Sequence, residues 1–416
     1  MSGSPISILA GHCDITPDAP LPLFGDRHRR GLSQGVHSNL ECNVLILVQG
    51  DLRVVILQLD TLFPSQQIHS AISSRLTSHC NLVITASHTH FAPALAPNKP
   101  LLGEFRESYF QFVVDRVSNL VNCLLNETPE SARMLRLKSD CAAGVFRRKR
   151  TLSVNKSPPF IGRSTGFLPN LDEKIDQSLT TFGLFDSAGI LSAVMWNWAC
   201  HPTVSPSANH VSSEYIGFVR NRIRDRFQRD LPVVFLPGAM GDVRPKIVTS
   251  HPSLLWRIRY PLNKSFFAVP TTPEQYSSFC NEIADSIPLD ELSADPADPL
   301  EGKLDLQRFS CPLGQILNGR ELEEKFIPIV ILSLDDRFRI VFLGAEPSNL
   351  YVRKLRNLLG NNTLVVGYFE EVYGYLPTEN QLPEGGYEVK GFQNSFNMDG
   401  DFLPGFEEAL LEMLAH

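Results

Sequence analysis

The sequence predicts an α/β fold: a single large domain with a mixed central β-sheet flanked by helices and a site at the strand carboxyl ends. Three observations predict it. Apolar, β-branched runs occur in pairs around short turn signals, over 44–49 and 53–59 around Gly50-Asp51, over 181–185 and 190–198 around Asp186-Ser187-Ala188-Gly189, and over 327–333 and 337–343 around Asp335-Asp336. Apolar residues recur at helical spacing over 103–126, at Phe105, Tyr109, Phe112, Val113, Val117, Leu120 and Leu124. Polar residues able to do chemistry follow directly on several apolar runs, and in open α/β sheets ligands collect outside the strand carboxyl ends.

With 416 residues the chain exceeds the size at which single cores usually stop growing, so one elaborated unit or two are expected. Residues 1–416 are taken as one catalytic domain. An apolar share of 43% with 20% charged residues is ordinary for a soluble globular protein. The net charge of −7 and the lack of a basic stripe argue against a nucleic-acid partner. Arg147-Arg148-Lys149-Arg150 is the local exception, either a solvated loop or a holder of an anionic group. No run is long enough to span a bilayer, and Met1-Ser2-Gly3-Ser4-Pro5 has neither a basic n-region nor a long h-region. The eight cysteines form no C-x-x-C and several lie in apolar segments, which predicts reduced thiols and a cytoplasmic location.

Taken in order, residues 1–40 read as loop-rich, with His12 and Asp14 in a turn before Pro17. The first hairpin ends at Asp60-Thr61. Asn81-Leu82-Val83-Ile84-Thr85 is a short buried strand, and the helix over 103–126 leads back from it. Residues 140–175 are polar and proline-bearing, which predicts irregular chain. After the second hairpin come a loop to Ser213-Glu214-Tyr215, a helix through Arg224 and a buried strand over 232–236. Residues 247–310 are rich in proline and define no element. Pro347 suits the first turn of a helix running to Leu359, with Gly360 as its stop. A strand over 364–368 and a helix over 406–414 complete the chain, which shows no internal sequence repeat and no interdomain linker.

The chemistry lies at the strand ends. The strand over 81–85 delivers Ser87-His88-Thr89-His90, and extended backbone would aim both imidazoles to one side. Trp196-Asn197-Trp198-Ala199-Cys200 delivers His201-Pro202-Thr203. The strand over 232–236 runs into Gly238-Ala239-Met240-Gly241-Asp242, and the third hairpin ends at Gly344-Ala345-Glu346. Two or three imidazoles with one carboxylate and an open position suit a catalytic zinc ion. Structural histidines, a glycine turn capped by Asp242 and a helix-dipole partner at Glu346 account for the same residues. The two G-x-S-x-G matches, Gly31-Leu32-Ser33-Gln34-Gly35 and Gly162-Arg163-Ser164-Thr165-Gly166, fall in segments read as loop or irregular chain and not at a strand-to-helix turn, so no serine-hydrolase elbow is supported. Both glycine-rich nucleotide-binding motifs are missing.

In combination, Ser87-His88-Thr89-His90, Ala199-Cys200-His201-Pro202-Thr203, Gly241-Asp242-Val243-x-Pro245 and the late tyrosine-rich segment resemble the neutral/alkaline ceramidase family. The likeness runs in order from Asp14-Ile15-Thr16 to Tyr387 and lacks only that family's carboxyl-terminal immunoglobulin-like domain. It implies a zinc-dependent amidase that cleaves an N-acyl bond of a small, lipid-like substrate. By similarity, His88, His201, Glu346 and Tyr375 are zinc ligands, and His90 and Tyr387 are polar active-site groups. Arg147 lies near the scissile carbonyl, with Arg148 the adjacent alternative. Arg244 stands where the family has a serine, and the segment after Thr378 is altered. Ligand positions are kept while cavity positions change. A different soluble amide or ester substrate, or metal binding without turnover, stays open, as does the oligomeric state.

Overall fold

A computed structural model of the chain describes residues 5–155, 160–293, 300–320, 322, 324–335 and 338–415. Met1 to Ser4 at the chain start, and Asp336 and Arg337 in the third hairpin, lie outside the described residues. The α/β class holds, and the mixed sheet is divided into several, because one local pattern occurs three times.

In the first unit, β1 (Ser7–Asp14) lies antiparallel to β2 (Glu41–Gln49), which turns at Gly50 into antiparallel β3 (Leu52–Leu59). A short helix α1 (Gln66–Ser73), capped by Ser65, then leads to β4 (Asn81–Ala86), which pairs in parallel with β3. The long helix α2 (Glu107–Leu125) covers this sheet with the apolar face the sequence predicts, burying Tyr109, Val113, Val117 and Leu124. The second unit adds β5 (Arg133–Asp140) and a hairpin of β6 (Gly144–Val154) with β7 (Ile161–Asn170). It continues through β8 (Ser178–Phe185) and antiparallel β9 (Leu191–Trp198), then helix α3 (Glu214–Phe227) and β10 (Val233–Pro237), parallel to β9.

A short β11 (Val243–Pro245) pairs with β6, and helix α4 (Pro273–Asp285) packs on α3. The third unit is β12 (Asp305–Pro312), β13 (Phe326–Asp335) and β14 (Phe338–Leu343), all antiparallel. It continues as β15 (Glu346–Pro347), helix α5 (Leu350–Leu359) stopped by Gly360, and β16 (Thr363–Val366), parallel to β14. The strand β17 (Tyr375–Leu376) and helix α6 (Phe406–Ala415) follow.

The three sheets share one core. Leu45, Ile56 and Val83 of the first, Phe182, Met195 and Val234 of the second, and Val330, Ile340 and Val366 of the third belong to a single buried cluster. At roughly 1.5–3 kcal/mol per fully buried aliphatic side chain, this joint burial holds the units in a fixed relation. The parallel strands therefore end together. Gly367 N–H donates to Pro237 O at 3.0 Å, Ala86 N–H to Tyr368 O at 3.1 Å, and Tyr368 N–H to Ala345 O at 3.0 Å.

Four sequence expectations are corrected. The chain before residue 40 contains β1, whose partner β2 is buried and supplies a full antiparallel register. The polar 140–175 segment is the β6–β7 hairpin, its arginines satisfied by acidic residues from far along the chain. The stretch over 247–310 holds α4, which starts in a Thr272–Gln275 capping box. Pro347 lies in β15 rather than in the first turn of α5, which Asn349 precedes.

Candidate metal centre

The two histidines after β4 converge by a turn and not by strand alternation. His88 adopts φ 66°, in the left-handed region, so the chain bends there and extended geometry is lost. For a non-glycine residue this strain costs on the order of 1 kcal/mol. It brings the His88 and His90 rings to 4.9 Å between centroids, and His88 and His201 to the same separation.

All three imidazoles are anchored alike. The Nδ1 of His88 lies 2.9 Å from Leu62 O, that of His90 3.0 Å from Gly25 O, and that of His201 2.6 Å from Met240 O. A carbonyl only accepts, so each Nδ1 carries the proton and each Nε2 is left as a bare lone pair. The Nε2 atoms of His88 and His90 are buried with no hydrogen-bond partner. The three rings bring their ligand atoms within 4.8 Å of one another.

Glu346 completes the cluster. Its Oε2 lies 3.5 Å from His88 Nε2 and 3.2 Å from His201 Nε2, and the Tyr375 hydroxyl is 3.4 Å from the same His201 nitrogen. Tetrahedral zinc with bonds of about 2.0–2.1 Å needs ligand atoms about 3.3–3.4 Å apart, and these separations match that edge. Glu346 and Tyr375 are register partners in the β15–β17 pair, so backbone pairing sets their spacing. The donor set, the orphaned nitrogens and the fixed tautomers fit a divalent ion.

Burial dominates the electrostatics. It pushes the His88 and His201 imidazoles well below their ordinary value and His90 down to about 3, so all three are neutral at pH 7, the form a metal requires. Burial raises the Glu346 carboxyl to about 8 against the pull of Arg147, and it raises the Tyr375 phenol as well. A cation between these ligands is what would make both anionic forms favourable.

No protein-family model and no curated protein matches this sequence. Solved structures do. Over 99% of this chain and 73% of the other, the fold superposes on the neutral ceramidase of Pseudomonas aeruginosa with a TM-score of 0.75 at 13% identity. A structure described as ceramidase complexed with C2 gives 0.73 at 14% identity, over 99% of this chain and 74% of that one. The chain has the neutral ceramidase fold.

Within this ceramidase fold the remaining predicted residues take distinct places. Arg147 reaches the cluster, donating from Nη2 to the Tyr375 hydroxyl at 3.1 Å and from Nε to Glu388 at 2.7 Å. Burial works against its charge, but Tyr375 and Glu388 outweigh it. Arg148 turns away to Glu388, Glu384 and the Gly385 carbonyl. Tyr387 stands 5.5 Å from the Tyr375 ring and is 38% exposed, at the rim. Asp242 is not a ligand. Its oxygens accept from Ser348, from Asn349 N–H at 2.8 Å and from Gln381 at 2.9 Å, bracing the Glu346 loop.

Sequence reasoning missed Tyr368, which packs 4.1 Å from the His88 ring and donates to Glu346 Oε2 at 3.5 Å. Its signal was its place at the end of the last parallel strand, the same place from which the other units deliver their groups. Glu388, buried between two arginines, carried no such signal. Among the described residues, no helix is long and apolar enough to cross a membrane.

Proposed function

We propose that the chain is a zinc-dependent hydrolase of an N-acyl amide bond, similar in chemistry to ceramidases, with residues 1–416 acting as one catalytic unit. The observation that carries this is the set of three imidazoles pinned through Nδ1 with their Nε2 lone pairs converging beside Glu346. His88, His201, Glu346 and Tyr375 would hold the ion, which when bound polarises the acyl carbonyl and lowers the pKa of water from about 15.7 toward ~7.

The chain's own groups do the rest. His90 Nε2 is an acceptor in the tautomer fixed by Gly25 O, so it takes the proton of the attacking water as the C–O bond forms. It then passes that proton to the amine nitrogen as the C–N bond breaks. The same tautomer gives it no hydrogen to offer a developing oxyanion, and that donor role falls to the Tyr387 hydroxyl. Arg147 donates to the Tyr375 oxygen, which adds to the pull of a bound cation toward its anionic form, and orients the polar end of the substrate. Eight unpaired cysteines support a reducing, cytoplasmic setting.

The test is metal analysis of the purified protein followed by hydrolysis of N-acyl-sphingosine and simpler N-acyl amides. One zinc per chain, activity lost on chelation and restored by zinc are expected. Activity that survives exhaustive chelation would refute the reading.

A further inference from the structure

Among the described residues, Arg244 is a cation with no ion-pair partner. It follows Val243, whose carbonyl accepts from the His201 backbone N–H at 3.2 Å, so the guanidinium starts beside a candidate metal ligand. Its Cζ lies 5.2 Å from the Phe167 ring centroid and 4.9 Å from that of Phe267. Arg147 lies over the same Phe167 ring at 4.8 Å. Arg147, however, is paired with Glu388, whereas Arg244 makes no ion pair or hydrogen bond with any described residue. The carboxyl whose charge would act on it is Glu214, which burial raises to about 8.

The guanidinium opens into a cavity of about 300 Å³, walled by Phe167, Phe267, Trp256 and Val269. That volume lies at the lower end of small-molecule sites, about 300–1,000 Å³. Outside it, Leu254 and Leu255 are exposed beside Trp256, an apolar rim suited to hydrocarbon. A charged group in an aromatic-walled cavity gains most from a ligand that supplies the opposite charge, because water screens the pair poorly there.

We propose that this cavity is the subsite for an anionic group on the amine side of the acylated substrate, with Arg244 as its counter-charge. The inference rests on the amide-hydrolase reading and narrows it: the substrate is an N-acyl amine carrying a carboxylate, sulfonate or phosphate. A neutral sphingoid head group would leave Arg244 unpaired.

The experiment compares N-palmitoyl-glycine, N-palmitoyl-taurine and N-palmitoyl-phosphoethanolamine with the neutral N-palmitoyl-glycinamide and N-palmitoyl-ethanolamine. Kd is read by calorimetry and kcat/KM by amine release, for the wild type, Arg244→Gln and Arg244→Lys. Wild type should favour the best anionic ligand over its neutral counterpart by roughly 10- to 100-fold, the usual worth of a hydrogen bond to a charged group. That ratio should fall toward unity in Arg244→Gln and be partly kept in Arg244→Lys. The order among the three anions identifies the head group. Equal affinity for anionic and neutral ligands in the wild type, or an unchanged ratio in Arg244→Gln, overturns the proposal. If Arg244→Gln does not fold, the wild-type and Arg244→Lys ratios decide. If none of the amides is hydrolysed, the amidase reading fails, and the Kd ratios still decide whether the anion subsite exists.

Discussion

Replacing His88 and His90 separately by alanine distinguishes a ligand from a group that only lies beside the ion. The His88 Nε2 lies 3.5 Å from Glu346 Oε2, at the edge length of a tetrahedral site, and Leu62 O fixes its direction. Loss of a mere supporting partner around a metal typically costs 10–100-fold in affinity, so loss of this ligand should cost more than roughly 100-fold. His90 shares the 4.8 Å cluster, but Glu346 and Tyr375 already supply the other short separations around His201. His90→Ala should therefore keep zinc content near wild type while turnover falls by roughly 10²–10⁴-fold, the range for a positioned acid–base group. The assay is zinc per chain by mass spectrometry after dialysis against a weak chelator, paired with steady-state hydrolysis of an N-acyl amide. The His88 substitution also leaves the buried Leu62 carbonyl unpaired, at about 1–3 kcal/mol, so thermal melts accompany it. Equal zinc loss in two folded variants would show that both imidazoles bind the ion and that the role given to His90 is wrong.

Other perturbations follow from the same contacts. Glu388→Gln leaves Arg147 and Arg148 buried against a neutral amide and should lower unfolding free energy by about 3–5 kcal/mol in urea titration; a change below 1 kcal/mol would count against the pairing. In Gly241→Ala the new Cβ would meet Glu346 O at 2.6 Å and Pro347 O at 2.7 Å, backbone atoms with no freedom to retreat; zinc binding should weaken sharply, and a fully zinc-loaded variant would refute the close approach. Burial alone would raise the Glu41 carboxyl, but Arg220 and Arg224 outweigh it and hold it at about 2, below its ordinary 4.5. A depressed carboxyl stabilises the fold fully above about pH 4.5 and loses that contribution as pH falls through about 2, so Glu41→Gln should flatten the stability curve across that acid window.

What was legible in the sequence was what local patterning dictates. The paired apolar runs around Gly50-Asp51 and Asp186–Gly189 became hairpins close to their expected bounds, and α2 kept its predicted face. The strand-end histidines and Glu346 came together because strand ends are fixed by pattern and turn chemistry, both local. Non-local satisfaction was not legible. β6 reads as a basic loop because nothing near Arg147 and Arg148 in sequence neutralises them; Glu388, which does, is 240 residues from Arg148. The division of the sheet was hidden for a related reason. A fully buried strand looks the same in one central sheet as in three sheets facing a common core. His88 was read as extended because a positive φ at a non-glycine residue leaves no mark in the local pattern, and the Leu62 carbonyl that holds its ring lies 26 residues away.

The three units also explain why the site is where it is. In the first, β4 delivers His88 and the end of β3 delivers the Leu62 carbonyl that orients it. In the second the parts are exchanged: β9 delivers His201, and the segment after β10 delivers the Met240 carbonyl. In the third, β14 leads to Glu346, and β16 leads to Tyr368, whose hydroxyl donates to that carboxylate. Each unit thus supplies one of His88, His201 and Glu346 from one strand end and an orienting partner from the strand beside it, while Tyr375 comes from β17, paired with β15. The pattern is one of form, since the residues differ at every corresponding place. Because the units are joined through a shared apolar core, the distance between His88, His201 and Glu346 is set by packing between sheets rather than within any one of them. A substitution that opens a cavity in that shared core would therefore shift the spacing of these three side chains as well as lower stability.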